Sequence, residues 1–301
     1  MKHLLLLILV LTGSGYIPPI YAQTSESQEE VAVPTEEESG LFWKITRDDL
    51  AQPSYLYGTI HIIPKDSFFL LPHVEENLAL AQRLVLEIPL DMNASAMLSS
   101  TMQMFIPEGK TLKALMDPED YAFLTQFMQD SISTPLPFYQ RIKPIFISQH
   151  ISTSYCFPQE MESYELYFSS KCKADNKPVS GLETISEQMQ YLNNMTMEEQ
   201  IASLVSVIRN PRQGCLEFGE MIAMYRKQDL TSLMKMMGES EDVSEHLDQL
   251  LDARNQKWIA KIESFVKAES VFIAVGAGHL GGPNGVVNLL KKQGYTVVPI
   301  R

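Results

Sequence analysis

The chain has 301 residues, with 24 basic side chains against 37 acidic ones, a net charge of −13 and 45% hydrophobic residues. No basic stripe accompanies that charge, which excludes nucleic-acid backbones as a partner and points to a well-solvated surface. From Leu41 onward there are about 260 residues, enough for one large domain or for a core carrying a helical insertion.

Residues 1–22 read as a secretory signal. Lys2 supplies a short positive region and Leu4 to Leu11 a compact apolar run. Gly13, Ser14, Gly15 and Pro18-Pro19 break it, and Tyr21-Ala22 offers a cleavage site. The run is shorter than the roughly 20 residues a membrane-spanning helix needs. The mature chain is expected to begin near Gln23, without a transmembrane span, in the periplasm or outside a bacterial cell. The alternative is an uncleaved N-terminal anchor. Residues 23–40 hold six glutamates and no basic residue, the composition of a disordered acidic linker.

Leu41 to Thr46 and Ser54 to Ile60 predict a β-hairpin, with turn chemistry from Asp48-Asp49 and Gln52-Pro53. Pro72 opens a helix through Arg83, and Leu84 to Ile88 predicts a buried strand stopped by Pro89. A long helical section follows. One helix starts at Asp117-Pro118-Glu119, one covers Pro137 to Tyr155 with an interruption near Pro144, and one covers Glu160 to Lys173. Lys177 to Glu183 predicts a short strand. Helices then resume from Ile185 to about Phe265, broken near Asn193-Asn194, Asn210-Pro211 and Gly238. The tail returns to strand (Val271 to Val275), Gly-rich turn (Gly276 to Gly282), helix (Gly285 to Gln293) and strand (Tyr295 to Ile300). The prediction is an α/β fold whose central sheet is built from both ends of the chain, with a large helical insertion at residues 93–268.

Two of the predicted strands end alike, in Gly58-x-x-His61 and Gly276-x-x-His279. Glycine at a strand end permits backbone angles that bulkier residues avoid. A histidine three positions on sits at the carboxyl edge, where open α/β sheets bind ligands. Glu87 and Glu183 end two further strand-like runs. If the four strands are parallel neighbours, His61, His279, Glu87 and Glu183 converge on one rim. Imidazoles with one or two carboxylates suit zinc, manganese or cobalt, and an open position on such an ion activates water and carbonyls. Without metal, the same histidines form a general acid–base pair.

Each residue also has a plainer reading. Glu87 stands in an apolar run and needs a cation, a metal or a proton. Glu183 reads equally well as a helix N-cap or first-turn acid. Arg254, on a helix from Leu250 to Phe265, is either part of a solvated face or a clamp for an anion or carbonyl. His73, His150 and His246 read as structural. The Gly276 to Gly281 run imitates a dinucleotide loop but lacks room for the β-α-β unit, and no G-x-S-x-G elbow or H-E-x-x-H helix occurs. Of the three cysteines, Cys156 and Cys172 are near neighbours able to staple two helices if geometry allows, leaving Cys215 free.

Several ordered segments together carry a resemblance: Phe42-Trp43-Lys44, Leu56 to His61, Leu86-Glu87, Lys177 to Thr184 with Gln188, Tyr225 with Asp229-Leu230, Arg254-Asn255 with Trp258, Val275 to Gly282, and Gly294 to Val297. They resemble the TraB/PrgY/GumN family, which includes the Tiki proteins, across nearly the whole domain. The resemblance implies a fold similar to the erythromycin-esterase and ChaN-like group. It implies a metal-dependent peptidase acting on a peptide or protein, with His61, His279 and Glu87 carried over and Arg254 as helper. The competing implications are a non-catalytic protein binding haem, another ligand or a peptide in the same cleft, and an envelope interaction protein with a vestigial site. One departure stands out. Bacterial relatives are expected to place Gly-x-Asp before the helix at Leu166; here Met161-Glu162-Ser163 stands instead, making Glu162 the candidate substitute.

Overall fold

In a computed structural model of the chain, the described residues are 40–301 other than 91–93, 133, 158–159, 193 and 240–246. The signal, the acidic linker up to residue 39 and His246 lie outside them. The strands are β1 (Phe42–Thr46), β2 (Ser54–Thr59), β3 (Ile63–Pro64), β4 (Arg83–Leu86), β5 (Met161–Glu162), β6 (Val179–Gly181), β7 (Val271–Gly276) and β8 (Thr296–Pro299). The helices are α1 (Val74–Leu80), α2 (Ala94–Gln103), α3 (Leu112–Leu115), α4 (Pro118–Ser131), α5 (Pro144–Cys156) and α6 (Tyr164–Ala174). They continue with α7 (Ile185–Leu192), α8 (Met197–Arg209), α9 (Pro211–Arg226), α10 (Leu230–Gly238), α11 (Ala253–Ala268) and α12 (Val286–Lys292).

Six strands form one sheet in the order β6-β4-β7-β2-β1-β8. At its centre β2, from the start of the domain, runs parallel to β7, from its end, with Tyr55 opposite Phe272 and Thr59 opposite Gly276. β4 lies parallel to β7 and β6 parallel to β4. β1 is antiparallel to both β2 and β8. The central strands are buried at every position, which is why SYLYGT and VFIAVG lack a polar face. The fold is thus α/β, with the sheet assembled from both ends and helices between, as the order of elements predicts. Four parallel strands deliver their carboxyl ends to one edge, the placement that decides where the site lies.

The helical section departs from the sequence pattern in three places, each for a local reason. Met161 and Glu162 pair with Pro64 and Ile63, so α6 starts only after Ser163, whose Oγ accepts the Leu166 N–H. α9 and α10 are separated at Gln228, whose φ is 58°, and Asp229 then caps α10 by accepting the Ser232 N–H. No glycine or proline marks the break, and the capping Asp229 is its one local signal. The helix carrying Arg254 opens with one wide turn over Asp248–Asp252 before α11.

The cysteine pairing is corrected. Cys156 bonds to Cys215, with Cα atoms 5.1 Å apart, and Cys172 is buried and free. Cys172 faces inward from α6, whereas the end of α5 lies against α9, which carries Cys215. No described helix is long and apolar enough to cross a membrane.

Candidate active site at the carboxyl edge of the sheet

The loops leaving β2, β4, β6 and β7 bring His61, Glu87, Glu183 and His279 to one rim. The ladder between β4 and β6 continues past the strands: Leu182 and Glu183 donate their N–H groups to Leu86 O and Glu87 O. The two acids therefore lie side by side. Arg254 of α11 enters between them, 1% exposed. Its Nη2 donates to Glu87 Oε2 at 2.5 Å and to Glu183 Oε1 at 2.6 Å, and Nε donates to Glu183. Its Nη1 donates to Leu250 O at 2.9 Å and to His279 Nε2 at 3.1 Å. Gln188 Nε2 bridges both carboxylates, Trp258 Nε1 donates to Glu183, and the Gly276 N–H donates to Glu87 Oε1 at 2.7 Å. The reading of Arg254 as a solvated residue is overturned, and so is a capping role for Glu183.

Each histidine is oriented through Nδ1. Asn255 Nδ2 donates to His279 O and Asn284 O, which turns Oδ1 toward His279 Nδ1 at 2.7 Å. His279 therefore carries its proton on Nδ1 and accepts on Nε2. His61 Nδ1 donates to Glu165 Oε1 at 2.9 Å, and that carboxylate is fixed by Thr59 Oγ1 at 2.6 Å and Ser163 Oγ at 3.1 Å. Both Nε2 atoms then face Glu87 Oε1, at 3.8 Å from His61 and 3.7 Å from His279. The acid that reaches His61 is Glu165, not Glu162, which is held in the β3–β5 ladder.

The partners push matched groups apart. Burial opposes a charge on His61, but the Glu165 carboxylate, helped by Glu87, raises it to about 9. Burial pulls His279 down to about 3, with the charges of Arg254 and His61 adding and Glu87 opposing. Burial likewise resists ionisation of Glu87, yet Arg254, both imidazoles and the Gly276 N–H hold it well below the usual carboxylate range. Glu183 shares the same guanidinium but moves the other way: burial and the charge of Glu87 hold it up against Arg254. Two carboxylates on one cation cannot both gain its full stabilisation, and Glu87 has the additional donors.

Gly58 and Gly276 serve space, not unusual angles; neither has a positive φ, and Gly276 sits at φ −53°. A Cβ on Gly58 would lie 2.5 Å from Leu280 Cδ1, and one on Gly276 would lie 3.2 Å from Glu87 Oε1 and 3.3 Å from His61 Nε2. The absent Cβ of Gly276 leaves a small cradle beside those two donors. Among the described residues no group of three or more His, Cys, Asp or Glu side chains is placed to hold a metal ion. His61 Nε2 and Glu87 Oε1, 3.8 Å apart, are donors of the types that first-row divalent ions take. His279 Nε2 is taken by the Arg254 Nη1 donor at 3.1 Å. His73 pairs with Glu76 at the surface and His150 rests against Tyr139, both away from this cluster.

The model of the TraB/PrgY/gumN family matches residues 41–299. The chain belongs to that family. Among curated relatives, it is 21% identical to a protein named metalloprotease TIKI1 of Danio rerio over 88% of this chain and 64% of that one. It is 22% identical to the metalloprotease TIKI homolog of Amphimedon queenslandica and 20% to TIKI1 of Homo sapiens, in each case over 86% of this chain and 61% of the relative. The chain thus spans less than two thirds of the length of these relatives. No solved structure matches.

Glu165 carried no distinct sequence signal and reads as an ordinary first-turn acid of α6. Thr59 and Asn255 lie inside segments that carry the family resemblance, but their contacts with Glu165 and His279 are visible only in the fold.

Proposed function

We propose that this family member is an exported peptidase that depends on a divalent ion, manganese, cobalt or zinc, held by His61, Glu87 and His279. The observation that carries the reading is the approach of both Nε2 atoms to the same oxygen, Glu87 Oε1, at 3.8 and 3.7 Å. The relatives named metalloproteases support it. When bound, the ion supplies Lewis-acid polarisation of the scissile carbonyl and the attacking water. The chain's own residues do the positioning. Glu165 and Asn255 hold the protons on Nδ1 of His61 and His279 and so present Nε2. Glu183, itself held by Gln188 and Trp258, fixes the buried Arg254, whose guanidinium keeps Glu87 ionised and in place. Glu87 serves as ligand or as general base. The Cys156–Cys215 bond supports export, because such bonds persist in oxidising compartments.

The test is metal content of the purified chain, and cleavage of a peptide library by chelated protein with manganese, cobalt or zinc restored. His61→Ala is the cleanest variant, since its side chain is 20% exposed. His279 is fully buried against Trp258, so its removal disturbs packing as well as chemistry. Glu87→Gln keeps shape and removes charge. The reading predicts loss of turnover in all three. Parent-like turnover in His61→Ala would place the chemistry elsewhere. A second reading, a non-catalytic protein that binds haem, another ligand or a peptide in this cleft, is favoured by Arg254 occupying His279 Nε2. Ligand binding that depends on these residues, without turnover under any metal, would establish it.

A further inference from the structure

A small cleft, partly open to solvent, adjoins His61. Its walls come from the loops after β2 and β7 and from helices α9 and α10, with Ile60, Met221, Leu233 and Met237 as the apolar surface. The polar side-chain atoms in the lining are almost all engaged. Thr59 Oγ1 donates to Glu165 at 2.6 Å and Tyr225 OH to Gly58 O at 2.9 Å. His279 is held at both nitrogens by Asn255 and Arg254. His61 Nε2 is what remains for an incoming group. A charged side chain entering here would give up its water to an apolar wall and find only His61 as a side-chain partner, whereas an apolar one gains burial. Gly278 leaves room for Met237: a Cβ there would lie 3.0 Å from Met237 Cε and 3.1 Å from its Sδ, so that side chain would have to shift. Methionine walls are unbranched and adapt to several apolar shapes.

We propose that this cleft is the specificity pocket of the site, taking an uncharged aliphatic or thioether side chain of the substrate residue beside the scissile bond, with Leu233 and Met237 setting its depth. The assignment to a scissile bond rests on the peptidase reading; the selectivity of the cleft does not. Selectivity should be steep against charge and shallow among apolar side chains, because a methylene more or less is worth only about 10- to 200-fold.

Two measurements on the full chain test this separately. In the first, N-acetyl-leucinamide and N-acetyl-aspartamide are titrated while the methionine methyl resonances of Met221 and Met237 are followed. Leucinamide should shift both and aspartamide neither, and Leu233→Arg should abolish the leucinamide response. Met237→Ala, which removes bulk and avoids an introduced charge, should bring N-acetyl-phenylalaninamide into the cleft at least 10-fold more tightly. In the second, peptides differing at one position are compared for cleavage, and leucine or methionine should exceed aspartate or lysine by at least 100-fold. Equal responses to leucinamide and aspartamide, or no response to either, would overturn the pocket. Cleavage without apolar preference would also overturn it while leaving the peptidase reading intact. A selective leucinamide response without cleavage of any peptide would sustain the pocket and sink the peptidase reading.

Discussion

Arg254 is the cation that both buried acids of the rim share. It donates to Glu87, Glu183, Leu250 O and His279 while 1% exposed. Removing one partner of a buried ion pair leaves an uncompensated charge and costs about 3–5 kcal/mol. Arg254→Ala should therefore lower the unfolding free energy in urea by that amount, and Glu183→Leu added to it should restore part of the loss. Parent-like stability of the single variant would mean that the guanidinium serves chemistry alone. A second residue-level prediction concerns His150, whose imidazole burial pushes below its ordinary value and whose Nε2 has no hydrogen-bond partner among the described residues. A histidine kept neutral by the fold contributes stability that is present above its unfolded value of about 6.5 and is lost as pH falls below it. His150→Phe, which retains a ring against Tyr139, should flatten the fall in melting temperature between about pH 6.5 and pH 5; an unchanged slope would assign that fall to other groups. The rim's histidines and acids are legible in sequence because strand ends are legible. The partners that orient them are not, since a helix start such as Glu165 has the same local pattern whether or not it faces a histidine.

The Cys156–Cys215 bond joins the end of α5 to the first half of α9, across 59 residues of sequence. Closing a loop of that length removes entropy worth about 4 kcal/mol from the unfolded chain. Reduction, or Cys156→Ser with Cys215→Ser, should lower stability by up to that amount in urea titrations, and amide exchange should quicken in α5 and α9 first. α9 also carries Met221 and Tyr225 of the cleft, so leucinamide should bind the reduced protein more weakly. If reduction changes neither stability nor exchange, the bond is dispensable to the fold. Sequence proximity favoured Cys172 over Cys215 as the partner, and it failed because cysteines pair by helix packing. Helix boundaries followed the same rule. Those marked by proline or a capping side chain, such as Asp117-Pro118 and Asn210-Pro211, are visible in the sequence. The two-residue strand at Met161 depends on a distant partner and is not.

At the scale of the molecule, the pairing of β2 with β7 ties the two ends of the domain together, and the alternation of strands and helices was enough to anticipate it. The division of the interior was not anticipated. One hydrophobic cluster surrounds the sheet and the rim, with Leu56, Phe272, Trp258 and Leu290 among its members. A second lies within the helical section, where Leu124 and Met128 of α4 meet Ile147 and Ile151 of α5 and Leu204 and Ile208 of α8. α5 belongs to both, through Ile145 and Phe146 on one side and Ile147 and Ile151 on the other. Two clusters joined through one helix should open separately, because local unfolding follows contiguous packing units. Leu124 and Leu56 are both fully buried, and truncation of either to alanine should cost about 2–5 kcal/mol. The patterns of loss should differ. Leu124→Ala should speed amide exchange in α4, α5 and α8 while β2 and β7 remain protected and N-acetyl-leucinamide still shifts Met221 and Met237. Leu56→Ala should speed exchange in the sheet and abolish that response, since β2 carries Gly58 and positions His61. Identical exchange maps for the two variants would show a single cooperative core, in which the helical section could not move without the site.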